Sequence, residues 1–141
     1  MAELKLELLN EVKAADFEAL VEGVRQHNFA QMGEERSQPL AALARDVSGQ
    51  LLGGVAGRTI YRQFLIDVLW VADSHRGRGL ARQLMALAEN QARQRGCLAA
   101  QVDTLAFQAP DFYQKLGFEI VGKVEGVAQS PDRYFLLKHY Q

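Results

Sequence analysis

Apolar residues recur along the chain with two different periods, and these periods predict its strands and helices. Leu4, Leu6 and Leu8 alternate with charged residues, which predicts a half-buried first strand. The apolar residues of 16–26 recur every three or four positions, which predicts an amphipathic helix. Residues 27–38 are mostly polar and include a glycine, so we expect a loop there, with room for a short second helix.

The next part of the chain predicts a hairpin. Residues 40–47 and 50–60 are strand candidates, and a Ser-Gly pair between them is typical of a tight turn. Gly53 and Gly54 lie inside the second candidate. Glycines within a strand indicate a bulge or a close approach of another backbone, and we expect one of these there.

A buried strand and a long helix follow. Residues 64–71 are apolar except for Asp67, which predicts a central strand buried on both faces. Residues 79–95 place apolar side chains on one helical face, and Gly96 fits a C-terminal cap. The expected members of that apolar face are Leu80, Leu84, Leu87, Ala88 and Ala92.

The last third of the chain predicts three strands and one short helix. Residues 98–104 form a strand candidate and residues 111–116 a short helix candidate. Residues 118–124 and 134–139 are the final two strand candidates. The order of all these elements predicts one mixed α/β sheet with helices packed on its faces.

Composition narrows the classes of protein that fit. A length of 141 residues fits a single domain spanning 1–141. The net charge of −1 argues against a general nucleic-acid or membrane-surface binder. With one cysteine and three histidines that lack metal-ligand spacing, we expect no disulfide and no metal site. The N-terminus lacks a signal-peptide pattern and no apolar run would cross a bilayer, so we expect a cytoplasmic protein.

Residues 71–82 link the buried strand to the long helix and carry the clearest chemistry in the chain. Gly77 and Gly79 allow backbone N–H groups to converge at the positive end of the helix dipole. Three arginines add positive charge there: Arg76, Arg78 and Arg82. These features predict a pyrophosphate site, and the alternative is a glycine-rich loop before an ordinary helix.

The type of phosphate site can be narrowed by spacing. A Walker loop is absent, and the dinucleotide fingerprint fails because Arg82 stands where its third glycine would be. The observed pattern is Arg-x-x-Gly-x-Ala, from Arg76 through Gly79 to Ala81.

A second informative run spans residues 107–118. Phe112 and Leu116 have the spacing of core residues on a short helix, so we expect Tyr113 to point elsewhere. A tyrosine hydroxyl with its ordinary pKa of about 10 can donate a proton at neutral pH. From the residues alone, Tyr113 is either such a donor or a packing residue.

The two runs together resemble the GNAT N-acetyltransferase superfamily. The Arg76-to-Ala81 pattern is similar to its cofactor motif, and the run from Phe112 to Phe118 is similar to its C-terminal motif. One departure is Ala106, because many relatives carry asparagine seven residues before the tyrosine.

The resemblance implies a fold and a reaction. The fold is a single, mostly antiparallel twisted sheet flanked by helices, and acetyl-CoA is the co-substrate. An amine attacks the thioester directly, and Tyr113 protonates the departing thiolate. Backbone groups of the central strand hold the pantetheine arm and the following turn holds the pyrophosphate. The implied cofactor-binding residues are Leu69, Trp70, Val71, Arg76, Gly77, Arg78, Gly79, Leu80, Ala81 and Arg82.

The acceptor side stays open at this level. Asp67 corresponds to a position where some relatives carry a catalytic carboxylate, and Asp103 or a water path is the alternative base. Trp70 either lines the acceptor site or packs. The acceptor is an amine of a small molecule or of a protein, and the resemblance makes a homodimer an expectation. The competing hypothesis is a regulatory module that binds acyl-CoA without turnover.

Overall fold

The computed structural model describes residues 3–108 and 110–141, and it forms two compact units. The first unit ends at Arg36 and the second runs from Ser37 to Gln141. The expectation of one domain over the whole chain stays a prediction.

The described part of the first unit, from residue 3 onward, contains one helix, α1 (Ala14–Met32). It ends at Gly33, whose φ of 87° favours glycine and whose N–H donates to Phe29 O at 2.9 Å. The helix therefore continues past residue 26, through part of the expected loop. The first predicted strand is wrong: residues 3–13 form neither helix nor strand, and Leu4, the first of its three leucines, is almost fully exposed. Alternation alone does not make a strand, because a strand needs a partner for its hydrogen bonds.

The second unit is a six-stranded sheet with helices against it. Its elements in chain order are β1 (Gln38–Arg45), β2 (Leu51–Ile60), β3 (Gln63–Val71), a 3₁₀ turn (Asp73–His75), α2 (Leu80–Gln94), β4 (Ala99–Leu105), α3 (Pro110–Lys115), β5 (Glu119–Val124) and β6 (Arg133–His139). The strand order is β1-β2-β3-β4-β6-β5. Only the β3–β4 pair is parallel. The mixed, mostly antiparallel sheet is therefore confirmed.

Helix α2 packs against β1, β2 and β3 and closes the core. Its expected apolar face is confirmed for Leu84, Ala88 and Ala92. Leu87, however, is exposed, and Met85 is fully buried instead. The buried stripe continues on the side of residue 85, so Leu87 lies on the opposite flank. Of the described helices, none is long and apolar enough to cross a membrane.

Strand β3 contains a bulge at Asp67. Ala56 of β2 pairs with Val68 and Gly57 pairs with Ile66, which leaves Asp67 without an opposite residue. The bulge changes which side chains face α2. On the N-terminal side of the bulge, the even-numbered residues Phe64 and Ile66 belong to the core. On its C-terminal side, the odd-numbered residues Leu69 and Val71 pack against the core instead.

The expectation that β3 is buried on both faces is therefore wrong. Its first half is well buried, but Val68 and Trp70 are exposed on the face opposite to α2. We call this the outer face of the sheet. It is the face to which Asp67 also contributes a side chain that is 61% exposed.

The parallel pair β3–β4 is short. It is formed only between residues 63–65 and residues 99–101. Among the described residues no ladder joins the two strands beyond these pairs, and cavities lined by residues of both strands open there; we call this opening the gap. Backbone groups of β3 that face this gap are available to a ligand.

Candidate active site

The turn after β3 is braced by its own side chain and backbone groups. Ala72 N–H donates to Leu52 O at 2.8 Å. Arg76 folds back, with Nε donating to Val71 O at 3.0 Å and the guanidinium 2.8 Å from Asp73. Arg76 therefore holds the shape of the turn, in addition to the ligand role that the resemblance implies.

The turn delivers free backbone donors at the start of α2. Gly77 and Gly79 both have φ of 77°, a conformation that side chains rarely adopt. No side chain caps the helix, and its first backbone bond runs from Gln83 N to Gly79 O at 3.0 Å. The N–H groups of residues 80–82 therefore lack intrahelical acceptors. Two exposed arginines of the turn and first helical turn add charge: Arg78 and Arg82. This donor set fits a pyrophosphate.

The end of β3 presents backbone groups to the gap. Successive residues of a strand direct their backbone groups to opposite sides. Since Ala72 bonds to β2, Trp70 directs its backbone groups to β2 as well, and Leu69 and Val71 direct theirs to the gap. Arg76 occupies the carbonyl of Val71. The N–H groups of Leu69 and Val71 remain as donors facing the gap.

Tyr113 lies in a cavity of about 200 Å³ at this gap, together with Asp67, Leu69 and Asp103. It is 7% exposed, and its ring packs edge-on against Phe118 at a centroid distance of 5.7 Å. Burial, and then the charge of Asp103, raises the pKa of Tyr113 to about 12. The hydroxyl is therefore protonated at neutral pH.

The burial of Tyr113 corrects the expectation that Phe112 and Leu116 are the core residues of α3 and that Tyr113 points elsewhere. Phe112 and Leu116 are only partly buried, whereas Tyr113 is the buried residue of this six-residue helix. The helix is held by the chain reversal after it, in which Phe118 N–H donates to Tyr113 O at 3.0 Å. That reversal brings the aromatic ring of Phe118 onto Tyr113.

A larger cavity of about 460 Å³ lies on the outer face. It is lined mainly by apolar residues of four strands, Leu65, Ile66, Val102, Val121, Phe135, Leu136 and Leu137, with Gln101. Asp67 and Asp103 line both this cavity and the smaller one. The two carboxylates therefore stand between a cavity that holds Tyr113 and one that opens on the outer face.

Each of these carboxylates has an arginine partner on the neighbouring strand. Arg58 of β2 lies 3.8 Å from Asp67, and Arg133 of β6 forms a close hydrogen-bonded pair with Asp103. Both pairs are about half exposed. The sequence did not reveal the two arginines as site residues, because their partners are distant in the chain and are brought near only by strand pairing.

The sequence also did not reveal Gln108 as a residue of the site. Its side-chain oxygen accepts from Leu105 N–H at 2.9 Å and lies 3.3 Å from the Thr104 hydroxyl, and the residue lines the smaller cavity. Cys97 is buried in the core. His75 contacts Ser74 through Nδ1 at 2.9 Å beside the turn. Within the described ranges, no three histidine, cysteine or acidic residues are grouped as metal ligands would be.

Comparison with known proteins identifies the family. A model of the Acetyltransferase (GNAT) family matches residues 6–118. The chain belongs to this family. It is an acetyl-CoA-dependent N-acetyltransferase, in agreement with the turn at α2 and with the resemblance found in the sequence.

Individual relatives agree with this assignment. An acetyltransferase from Agrobacterium fabrum is 30% identical over 134 residues, which cover 94% of this chain and 98% of the relative. The blasticidin-S acetyltransferase of Streptomyces morookaense is 37% identical over 91 residues, which cover 64% of this chain and 67% of the relative. A crystal structure of an acetyltransferase from Agrobacterium tumefaciens superimposes with a TM-score of 0.90 at 28% identity, covering 97% of this chain and 100% of that chain.

Proposed function

We propose that this acetyltransferase transfers the acetyl group of acetyl-CoA to a primary amine of a small molecule, by direct attack of the amine on the thioester. The gap between β3 and β4 is the observation that carries the proposal. It joins a cavity containing Tyr113 to an outer-face cavity edged by Asp67 and Asp103. Donor and acceptor can therefore approach one another from opposite sides of the sheet.

The donor side supplies binding groups. We assign the pyrophosphate to the backbone N–H groups of residues 77–82, with Arg78 and Arg82 adding charge. Leu69 and Val71 offer N–H groups to the pantetheine arm and to the thioester oxygen. A preorganised N–H group aimed at the developing oxyanion stabilises the transition state strongly in a water-poor site. Removing one such donor typically raises the activation free energy by about 2.7–4 kcal/mol.

The reacting centre needs one proton removed and one supplied. As the C–N bond forms, Asp67, directly or through water, accepts a proton from the amine. As the C–S bond breaks, Tyr113 donates its proton to the sulfur. The Asp103 side chain is held by Arg133 and lines both cavities. We therefore assign Asp103 to binding the acceptor ammonium before the ammonium loses its proton.

A small-molecule acceptor is supported by the size of the outer cavity and by a relative. Small-molecule sites are typically about 300–1,000 Å³, and this one is about 460 Å³. A relative acts on blasticidin S, as its name states. A homodimer stays an expectation of the family resemblance.

The experiment that tests the function is thiol release from acetyl-CoA with blasticidin S and a panel of primary amines. Amine-dependent thiol release, with the acetylated amine found by mass spectrometry, would support the proposal. Binding of acetyl-CoA without release for any amine would favour the regulatory module.

Binding at the turn gives the first prediction. Gly79→Asp places a side chain and a negative charge at the α2 N-terminus, so acetyl-CoA affinity measured by calorimetry should fall at least about tenfold, or 1.4 kcal/mol. Gly96→Asp is the matched control. Gly96 has φ of 89° and open space around it, as Gly79 has, but it lies at the other end of α2. Equal affinities for the two variants would contradict the assignment.

A further inference from the structure

The strand order places four charges in a symmetric row across the outer face. Arg58 is on β2, Asp67 on β3, Asp103 on β4 and Arg133 on β6, and these strands are consecutive in the sheet. The gap between β3 and β4 lies at the centre of the row. Reading across the sheet, the charges are positive, negative, gap, negative and positive.

This row is electrically balanced. Each carboxylate at the gap already has a guanidinium partner. A simple cationic amine therefore meets two acids whose charge is partly neutralised, and a polyamine would bring further cations toward Arg58 and Arg133. An amine that also carries an anion matches both signs of the row.

The two arginines differ in how firmly they are held. Arg133 is in a close hydrogen bond with Asp103. The Arg58 side chain has the 3.8 Å ion pair with Asp67, and within the described residues its guanidinium makes no hydrogen bond. Its N–H donors are therefore available, and a guanidinium fork matches a carboxylate.

We propose that the acceptor is an amine that also bears a carboxylate, and that Arg58 binds this carboxylate while the amine lies between Asp67 and Asp103. The inference rests on the proposed function, because it describes the acceptor side of the same site. It makes Arg58 a specificity-determining residue.

The reach of the Arg58 side chain limits the distance between the two groups of the acceptor. Its guanidinium lies 3.8 Å from the Asp67 carboxylate, beside which the proposal places the amine. The carboxylate of the acceptor can therefore lie close to its amine, and this spacing admits an α-amino acid as well as a longer amino acid.

Two matched pairs of probes test the proposal. They are ε-aminocaproate with its uncharged carboxamide, and its isomer norleucine, in which the amine is next to the carboxylate, with its own carboxamide. Binding to the protein–CoA complex is measured by NMR, and turnover by thiol release. We expect the acid of at least one pair to exceed its carboxamide at least about tenfold in affinity or in kcat/KM. Equal values for acid and carboxamide in both pairs would overturn the proposal.

Variants assign the effect to Arg58. Arg58→Gln should abolish the preference for the acid over the carboxamide, and Arg58→Lys should restore part of it. Arg62→Gln removes the same charge from an exposed arginine in the β2–β3 turn and should leave the preference intact. A preference that survives Arg58→Gln would overturn the role of Arg58.

The binding measurement separates this inference from the proposed function. Arg58-dependent binding of the acid without turnover of any amine would support the acceptor site while contradicting catalysis. Turnover of amines with no preference for a carboxylate would support catalysis while contradicting this inference.

Discussion

Tyr113 is both a packed core residue and the proposed proton donor. Tyr113→Phe keeps the edge-on ring contacts with Phe112 and Phe118 and removes only the hydroxyl. Since general acid catalysis is worth about 10²–10⁴-fold, turnover should fall within that range while acetyl-CoA affinity changes little. Steady-state kinetics and calorimetry on the same preparation provide the measurement. The thiolate that leaves an acyl donor with a more acidic thiol needs less protonation. With such a donor, Tyr113→Phe should therefore lose less turnover than it does with acetyl-CoA.

A wild-type rate for Tyr113→Phe with acetyl-CoA would mean that water or another residue supplies the proton.

Tyr113 also shows what the sequence could reveal about the site at this scale. Its position in a motif indicated a functional role, and Phe112 does pack against the core, but the expectation that Tyr113 points away from the core was wrong. On a helix of one and a half turns, the buried side is fixed by the chain reversal at Gly117 and not by helical periodicity.

The bulge of β3 depends on a glycine in the neighbouring strand. A Cβ atom added to Gly57 would lie 2.1 Å from Leu65 O and 3.0 Å from the Cα of Ile66, so the backbone of β3 would have to move. Gly57→Ala should therefore destabilise the protein by about 1–3 kcal/mol in urea unfolding. Turnover should fall in the folded fraction, because Asp67 is the bulged residue.

Gly54→Ala is the control in the same strand. The atom closest to its added Cβ is the end of the flexible Leu43 side chain, at 2.6 Å, which can move aside. The nearest backbone atom is Ala42 O at 3.1 Å, a much milder contact than the 2.1 Å at Gly57, so we expect a smaller loss of stability. Equal losses of stability and turnover in the two variants would show that the bulge does not require a bare backbone at residue 57.

Elements with strong local signals were predicted well from the sequence. Helix α2 has an amphipathic period, a glycine at each end and a motif at its start, and its predicted bounds of 79–95 agree with Leu80–Gln94. The bulge at Asp67 was not located, because it arises from the register between β2 and β3 and has no local signal. The predicted strand at Leu4 failed for the related reason that alternation specifies a face but not a partner.

At the scale of the whole sheet, the site depends on which strands are neighbours. Asp67 and Asp103 were both singled out in the sequence, but their arginine partners follow only from the order β2-β3-β4-β6. Local patterns do not encode this order, since β5 precedes β6 in the chain yet lies at the edge of the sheet. The family resemblance predicted the general fold. Only the order in which the strands pair shows that arginines of the neighbouring strands lie beside Asp67 and Asp103.

Two tyrosines of the second unit, the buried Tyr113 and the partly buried Tyr140, make the stability of the fold sensitive to alkaline pH. Burial, then the charge of Asp103, raises the pKa of Tyr113 to about 12. Burial, then the Glu89 carboxylate, also raises the pKa of Tyr140. In the unfolded chain both would titrate near the ordinary value of about 10. The folded state thus binds these protons more tightly, and its advantage is present below pH 10 and is lost as the pH rises through the folded values.

For Tyr113, a shift from about 10 to about 12 corresponds to about 2–3 kcal/mol of unfolding free energy, lost between these pH values. Urea unfolding at pH 8, 10 and 11.5 should show this loss, and Tyr113→Phe should reduce its slope because no proton is then released. Tyr140→Phe should remove a separate part of this pH-dependent loss of unfolding free energy. The double variant should therefore show the weakest dependence of stability on pH. If both single variants lose stability with pH as steeply as the wild type, ionisation of other groups controls the alkaline transition.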